Sequence, residues 1–288
     1  MSWLTHQTSC QSGASSATYV HGLTSQYQQT TIRERSGTMA LAAKPISLMP
    51  QTLEAFTVYI GDAEAAMDQS LQGPFLWSDL DGQRTHQLQE GKIIAQFWTG
   101  RAPVAVPDGL IHDWIGAAFI PGTSVDDTLA LIQDYDNHQN IYAPEVIASK
   151  LISHHGNDFQ IYLRLLKKKI ITVVLDTDHG VQYRSLDRGR WICRSRTTRI
   201  AEVQEAGKPK EKVLPPDTGY GFLWRLYSYW RFQERDAGVY VECRAISLTR
   251  DVPSTLRWAI NPIINKLPKE SLTNTLVATR QALHPRAK

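Results

Sequence analysis

The sequence predicts an α+β protein in which a curved antiparallel sheet wraps around a long C-terminal helix. Three observations lead there. Residues 221–250 read as a hairpin, GFLWRLYSYWRFQERDAGVYVECRAISLTR, with two long alternating runs about the turn Arg235-Asp236-Ala237-Gly238. Residues 147–203 carry a further succession of strand signals broken by turn residues. Residues 269–283 then place Leu272, Leu276, Thr279 and Leu283 along one helical face, behind a proline at 268, where a first turn tolerates it.

The hairpin is the most informative of the three. Pairing Arg235 with Gly238 sets Phe232 against Val241, Trp230 against Cys243, Ser228 against Ala245, Leu226 against Ser247 and Trp224 against Thr249. Successive side chains leave opposite sides of a strand, so these pairs share one face. Large aromatics on one strand meet small residues on the other, which suits a sheet curved around a helix or a cavity. The opposite face puts Arg231 beside Glu242 and Tyr229 beside Arg244. That face reads as an outer, half-exposed surface, with Arg231 and Glu242 as a cross-strand ion pair worth at most about 1 kcal/mol.

The other elements follow along the chain. Residues 1–45 are rich in Ser, Thr and Gln without apolar periodicity and read as disordered. They lack the apolar stretch of a signal peptide, so the cytoplasm is the default expectation unless the start is misassigned. Residues 46–108 read as an extension: a helix over 50–71 striped by Leu53, Phe56, Ile60 and Met67, then two short strands at 75–80 and 92–98 with Asp81-Gly82 as a turn. A proline-containing stretch, 102–109, separates this extension from the main domain, 109–288.

The main domain opens on a buried strand over 110–120, ended by Pro121-Gly122. Thr123 or Ser124 can cap the helix that follows, with Asp126 and Asp127 in its first turn, favourable to the helix dipole. A second short helix is expected over 134–141, before Pro144. Strands are expected at 147–154, 159–166, 170–176, 181–186 and 190–203, with Asp178-His179-Gly180 read as a turn and 204–219 as a loop. Phe159, Ile161, Leu163 and Leu165 share one face of their strand, and Gln160, Tyr162 and Arg164 the other. Helix is expected again from 253, interrupted by Pro262.

This order of elements resembles the helix-grip fold of the START-like superfamily, which includes polyketide aromatase/cyclases. The resemblance covers roughly 110–284. It rests on that order, on the helix-then-YAPEV junction at 142–146, and on AISLTRDVP at 245–253 leading into the last helix. It implies a central cavity between sheet and terminal helix that takes a lipid, sterol, polyketide or other hydrophobic molecule. It implies no catalytic residue, because the superfamily shares none.

The chemistry legible in the residues is mostly exclusion. The chain of 288 residues has no apolar run long enough to span a membrane as a helix. Cys10, Cys193 and Cys243 form no spacing motif, and neither HExxH nor CxxC occurs, so neither a disulfide framework nor a metal site nor any cofactor is expected. No nucleophile elbow or glycine-rich phosphate loop is present. The front of the chain, to Lys150, has 7 basic and 15 acidic residues, whereas 151–250 has 18 and 11. Mutual attraction within one fold explains that split, and a basic surface for an anionic partner is the alternative. The strand with Arg190, Arg194, Arg196 and Arg199 carries the same two readings; its Trp191 has the wrong parity to stack with Arg190, which argues against nucleic acid.

The site residues expected from this reading are Trp114, Phe159, Leu163, Arg199, Trp224, Trp230 and Phe232. The aromatics would line a cavity for a hydrophobic or lipid-like small molecule, with Arg199 or Tyr162 orienting its polar end. A second reading makes the same cavity a cyclase- or hydratase-type active site in which His112, Asp113 or a tyrosine moves protons. A third makes the chain a protein-interaction module.

Overall fold

The computed structural model describes residues 45–100, 103–168, 172–251 and 266–284. Of the disorder expected over 1–45 and the helix expected over 253–266, residues 1–44, with Cys10, and 253–265 lie outside the described residues. In chain order the elements begin with β1 (Ile46–Ser47), α1 (Pro50–Gln69), α2 (Gly82–Gln89), β2 (Ile94–Phe97), β3 (Val104–Val106) and β4 (Gly109–Pro121). Then come α3 (Val125–Gln133), α4 (His138–Ile141), β5 (Val146–His155), β6 (Asp158–Lys168), β7 (Thr172–Ser185) and β8 (Arg190–Gln204). The chain continues through β9 (Lys212–Val213), β10 (Thr218–Gly219), β11 (Arg225–Arg235), β12 (Gly238–Arg250) and α5 (Leu267–Leu283).

The main sheet is antiparallel and runs β2-β4-β12-β11-β8-β7-β6-β5, with β3 also beside β4 and β9 beside β8. One side carries α5, which packs on β4, β2 and β12 and has α3 and α4 next to it. A broad antiparallel sheet holding its C-terminal helix is the helix-grip arrangement. Gly116 shows how close the grip is: a Cβ there would sit 2.9 Å from both Leu272 Cγ and Leu276 Cδ1. The first N–H of α3, from Val125, is received by Glu234 Oε2 at 2.7 Å, and Ser124 Oγ accepts from Asp127 N at 3.1 Å. Those bonds satisfy donors that a helix start otherwise leaves unpaired.

The β11–β12 register is the one expected, from Leu226 opposite Ser247 to Arg235 opposite Gly238. Asp236 and Ala237 both have positive φ, 55° and 54°, as a two-residue turn matched to strand twist requires. Trp224 departs from the expectation. β11 starts only at Arg225, so strand parity does not reach Trp224, which packs beside Phe56, Ile60 and Leu248.

Three other expectations change. Asp178-His179-Gly180 is no turn; β7 runs through it, paired on both sides by β6 and β8. Asp81-Gly82 is no hairpin turn either, and the strand expected over 75–80 does not form: a tight turn over 78–80 leads to Asp81, which caps α2, its Oδ1 accepting from Gln83 N at 3.0 Å. The extension also shares the main sheet, because β2 and β3 both pair with β4.

The side of the sheet away from α5 is not a solvated face. α1 lays Phe56, Ile60 and Ala63 on Ile111, Tyr229, Ile246 and Leu248. Residues 75–88 place Phe75, Leu76, Trp77 and Leu88 on Ile115, Ala117, Phe119 and Tyr240. Arg231 and Glu242 are cross-strand neighbours, as expected, and attract each other, but they make no close ion-pair contact. Each serves the extension instead. Glu242, 2% exposed, accepts from the N–H groups of Trp77 (2.7 Å) and Ser78 (2.8 Å). Arg231 donates to the Phe75 and Met67 carbonyls and to Ser70 Oγ (2.6 Å). The charge split resolves the same way: Arg194 pairs with Asp68 and Arg196 with Glu64, both acids on α1.

Candidate functional site

The strand register orders the α5 side of the sheet into cross-strand rows. Toward the β11–β12 turn lies Ala118, Val241, Phe232 and Trp191. The next row is Gly116, Cys243, Trp230, Cys193 and Tyr183. A third is Trp114, Ala245, Ser228, Ser195, Val181 and Phe159. The fourth is polar: His112, Ser247, Leu226, Thr197 and His179. Chemistry therefore changes along the strands, from aromatic and aliphatic at the turn end to hydroxyl and imidazole six residues further on. None of the residues named in these four rows carries a formal charge when its histidines are neutral.

Burial picks out the middle of this surface. Trp114, Phe159 and His112, at row ends, are buried, as is Phe232, with α5 supplying Leu272 and Leu276. Leu163, Ser195, Leu226, Ser228, Trp230 and Ala245 are only half-buried. They form a patch spread over β6, β8, β11 and β12. Trp230 and Phe232 stand parallel, with ring centroids 6.1 Å apart, and the small Ala245 and Ser228 leave space beside the indole. Trp230 Nε1 donates to Ser228 Oγ at 3.3 Å.

The polar row is built from neutral groups. His112 Nε2 is 3.0 Å from Thr249 Oγ1, and its Nδ1 has no partner among the described residues. His179 Nε2 is 2.9 Å from Thr177 Oγ1, and its Nδ1 lies 3.4 Å from Ser195 Oγ. Burial disfavours the imidazolium and pushes both histidines down to about 4. The Tyr135 and Tyr183 hydroxyls meet at 2.8 Å, and burial raises both phenols. Burial also pushes the Cys193 thiol up to about 12, so it stays protonated and unreactive.

The structure brings together five of the seven expected site residues: Trp114, Phe159, Leu163, Trp230 and Phe232 belong to one cluster. Trp224 is on the opposite side of the sheet. Arg199 is too. A bulge leaves Thr198 unpaired, since Asp178 pairs with Arg199 and His179 with Thr197. One extra residue reverses the parity of everything beyond it. Arg199 Nη1 then meets Asp178 Oδ2 at 3.3 Å, and neighbouring Asp176 binds Arg164 and the Tyr162 hydroxyl. Neither Arg199 nor Tyr162 faces the α5 side. Asp113, next to His112, points outward as strand alternation demands. It is buried in a two-point pair with Arg244, at 2.9 and 2.6 Å, and also accepts from Tyr59 Oη at 2.7 Å.

No protein-family model matches the chain, and no curated protein matches it. Solved structures with a similar arrangement include a STAR-related lipid transfer protein fragment from Xanthomonas axonopodis, at 17% identity, TM-score 0.42, covering 64% of this chain and 97% of that one. The Zhui aromatase/cyclase from Streptomyces sp. R1128 is similar at 9% identity and TM-score 0.45, over 62% and 96% of the two chains. Human STARD10 is similar at 10% identity and TM-score 0.38, over 62% and 72%. These are likenesses of strand and helix arrangement, and nothing those proteins bind or catalyse passes to this chain by them.

Proposed function

We propose that the chain binds a small amphipathic molecule on the α5 side of its sheet. The observation that carries this is the half-buried patch around Trp230, bordered by the buried Trp114, Phe159, Phe232 and His112. A patch of apolar side chains with a few placed polar groups is what ligand sites use. The apolar body of the ligand lies against Trp230, Leu226, Leu163 and Ala245. Its polar end meets Ser195, Ser228 and the histidine row. That end is uncharged, a hydroxyl or carbonyl, because an isolated charge would find no counter-ion among the residues of the four rows and would be costly to desolvate. Arg199 and Tyr162, given the polar end on sequence grounds, have no part in this reading.

The test is native mass spectrometry of the purified protein, followed by denaturing extraction and identification of anything released. A near-stoichiometric neutral amphiphile supports the reading. The identified molecule, or a fluorescent alcohol of similar length, is then titrated into Trp230→Ala. Loss of a large aromatic contact should weaken binding by about tenfold or more. Unchanged affinity in a folded variant would remove Trp230 from the site.

A second reading rests on His112, whose buried Nδ1 lacks a partner among the described residues. A neutral imidazole with an open nitrogen can accept a proton, as a cyclase or hydratase would need. Under that reading His112→Ala abolishes turnover of the identified ligand while leaving its binding intact. Asp113 has no place in it, since its carboxylate is held by Arg244 and Tyr59 on the other side.

A further inference from the structure

The outer side of the sheet holds a separate cavity of about 220 Å³ beneath the end of α1 and the turn that follows it. Its floor is two cross-strand rows. One runs Arg194, Tyr229, Arg244 and Ile115; the other runs Ile192, Arg231 and Glu242. Met67, Leu71, Leu76 and Trp77 wall it, and Leu80 and Trp98, 63% and 36% exposed, stand at its rim. An apolar cavity of roughly 150 Å³ accepts benzene, so this one accommodates a ring with a short polar substituent.

The polar groups of the lining are unequally satisfied. Glu242 has both oxygens occupied by backbone N–H groups, and Arg231 spends its terminal nitrogens on the extension. Arg244 is different. It is 5% exposed and binds Asp113 through Nε and Nη2 only, so its Nη1 is buried with no partner among the described residues. Trp98 covers that guanidinium at 4.2 Å, and the ring is exposed enough to swing outward. Arg194, two strands away in the same row, is bonded to Asp68 through Nη2. The cavity thus has apolar walls and one spare guanidinium donor, Arg244 Nη1, and a buried unsatisfied donor is costly.

We propose that this cavity is a second binding site, taking a compact apolar molecule that bears one carboxylate. The acid pairs with Arg244 Nη1 and Arg194, and the apolar part lies between Met67, Leu71 and Trp77. Guanidinium forks recognise carboxylates better than any other side chain does. Cys193 and Trp230 of the α5-side rows also border this cavity, but the groups that hold the acid belong to the outer rows.

The test is fluorine NMR of 4-fluorophenylacetate with the full chain. Saturable binding is expected. Ala66→Trp, at an exposed α1 position lining the cavity, should weaken it about tenfold or more by filling the space. Arg194→Gln, which breaks only a part-exposed ion pair, should weaken it similarly. Leu163→Ala, on the α5 side, should leave it unchanged. The neutral 4-fluorophenylacetamide should bind more weakly than the acid. No saturable binding, or binding unaffected by Ala66→Trp or by Arg194→Gln, overturns the site, as does loss in Leu163→Ala. An amide as tight as the acid overturns the carboxylate.

Discussion

Gly116→Ala tests the grip between α5 and the sheet. The added methyl would stand 2.9 Å from Leu272 Cγ, 2.9 Å from Leu276 Cδ1 and 3.0 Å from Leu272 Cδ2. Carbon atoms rest at about 3.5–4.0 Å, so the two leucines must retreat by roughly 0.5–1 Å. Leu272 and Leu276 are 5% and 0% exposed and cannot simply swing into solvent. Overpacking of this kind costs about 1–3 kcal/mol. Leu276→Ala alone opens a cavity and costs about 2–5 kcal/mol. The double variant puts a methyl where the leucine was. Its loss should fall short of the sum of the singles by about 1 kcal/mol or more, as expected for residues in contact. Urea denaturation followed by circular dichroism measures all four stabilities, and equal slopes confirm that the unfolding transitions are comparable. Strictly additive losses, or a silent Gly116→Ala, would refute the close contact on which the architecture rests.

Other outcomes follow from the same structure. Glu242→Gln retains one acceptor for two backbone donors, so it should cost about 2 kcal/mol and speed hydrogen exchange at Trp77 and Ser78; unchanged exchange would show that the carboxylate does not hold this segment. Reversing both charges, Arg231→Glu with Glu242→Arg, should not fully recover what either single reversal loses, because the two make no close contact; full recovery in denaturation experiments would show that they pair after all. The histidines predict a pH dependence. Their folded values, about 4, lie below the ordinary 6.5, so the protonated form is the disfavoured one in the fold. Their contribution is present above pH 6.5 and is lost as pH falls toward 4. The stability advantage of the parent over His112→Gln/His179→Gln should therefore shrink on acidification, by up to about 3 kcal/mol per histidine; an advantage independent of pH would count against burial as the cause.

Much of this was legible in particular residues. The hairpin register followed from strict alternation and a two-residue turn, and both held from Leu226 to Gly238. The failures have physical sources. Parity arguments assume an unbroken strand, and Trp224 precedes β11, behind Gly219 and Gly221 with φ of 145° and 78°. Arg199 lies past a bulge at Thr198, where Arg-Thr-Thr-Arg contains neither glycine nor proline to announce it. Asp178-His179-Gly180 has turn composition, yet flanking strands on both sides supply backbone partners that outweigh the local preference. Asp81 followed by Gly82 is as good a helix cap as a turn, and only the structure decides between them. The polar row escaped because His112, Thr197 and His179 come from three strands that the sequence does not place side by side. One signal was available: Ser247 and Thr249 are two hydroxyls at the same parity on an otherwise apolar stretch of strand.

The outer side of the sheet has a further consequence. Arg194 and Arg196 pair with acids of α1, and Arg231 and Glu242 hydrogen-bond to residues of the α1–α2 segment, with the apolar contacts interspersed among them. That composition belongs to a docking interface more than to a core cut through its middle. The segment from α1 to α2 behaves as a partner that arrives on a tether, joined to the sheet through β2. A short covalent link sets an effective concentration of order millimolar. Contacts too weak to hold the same segment as a separate peptide are then sufficient to keep it seated, so the cover over the outer cavity can be weak contact by contact and still remain in place.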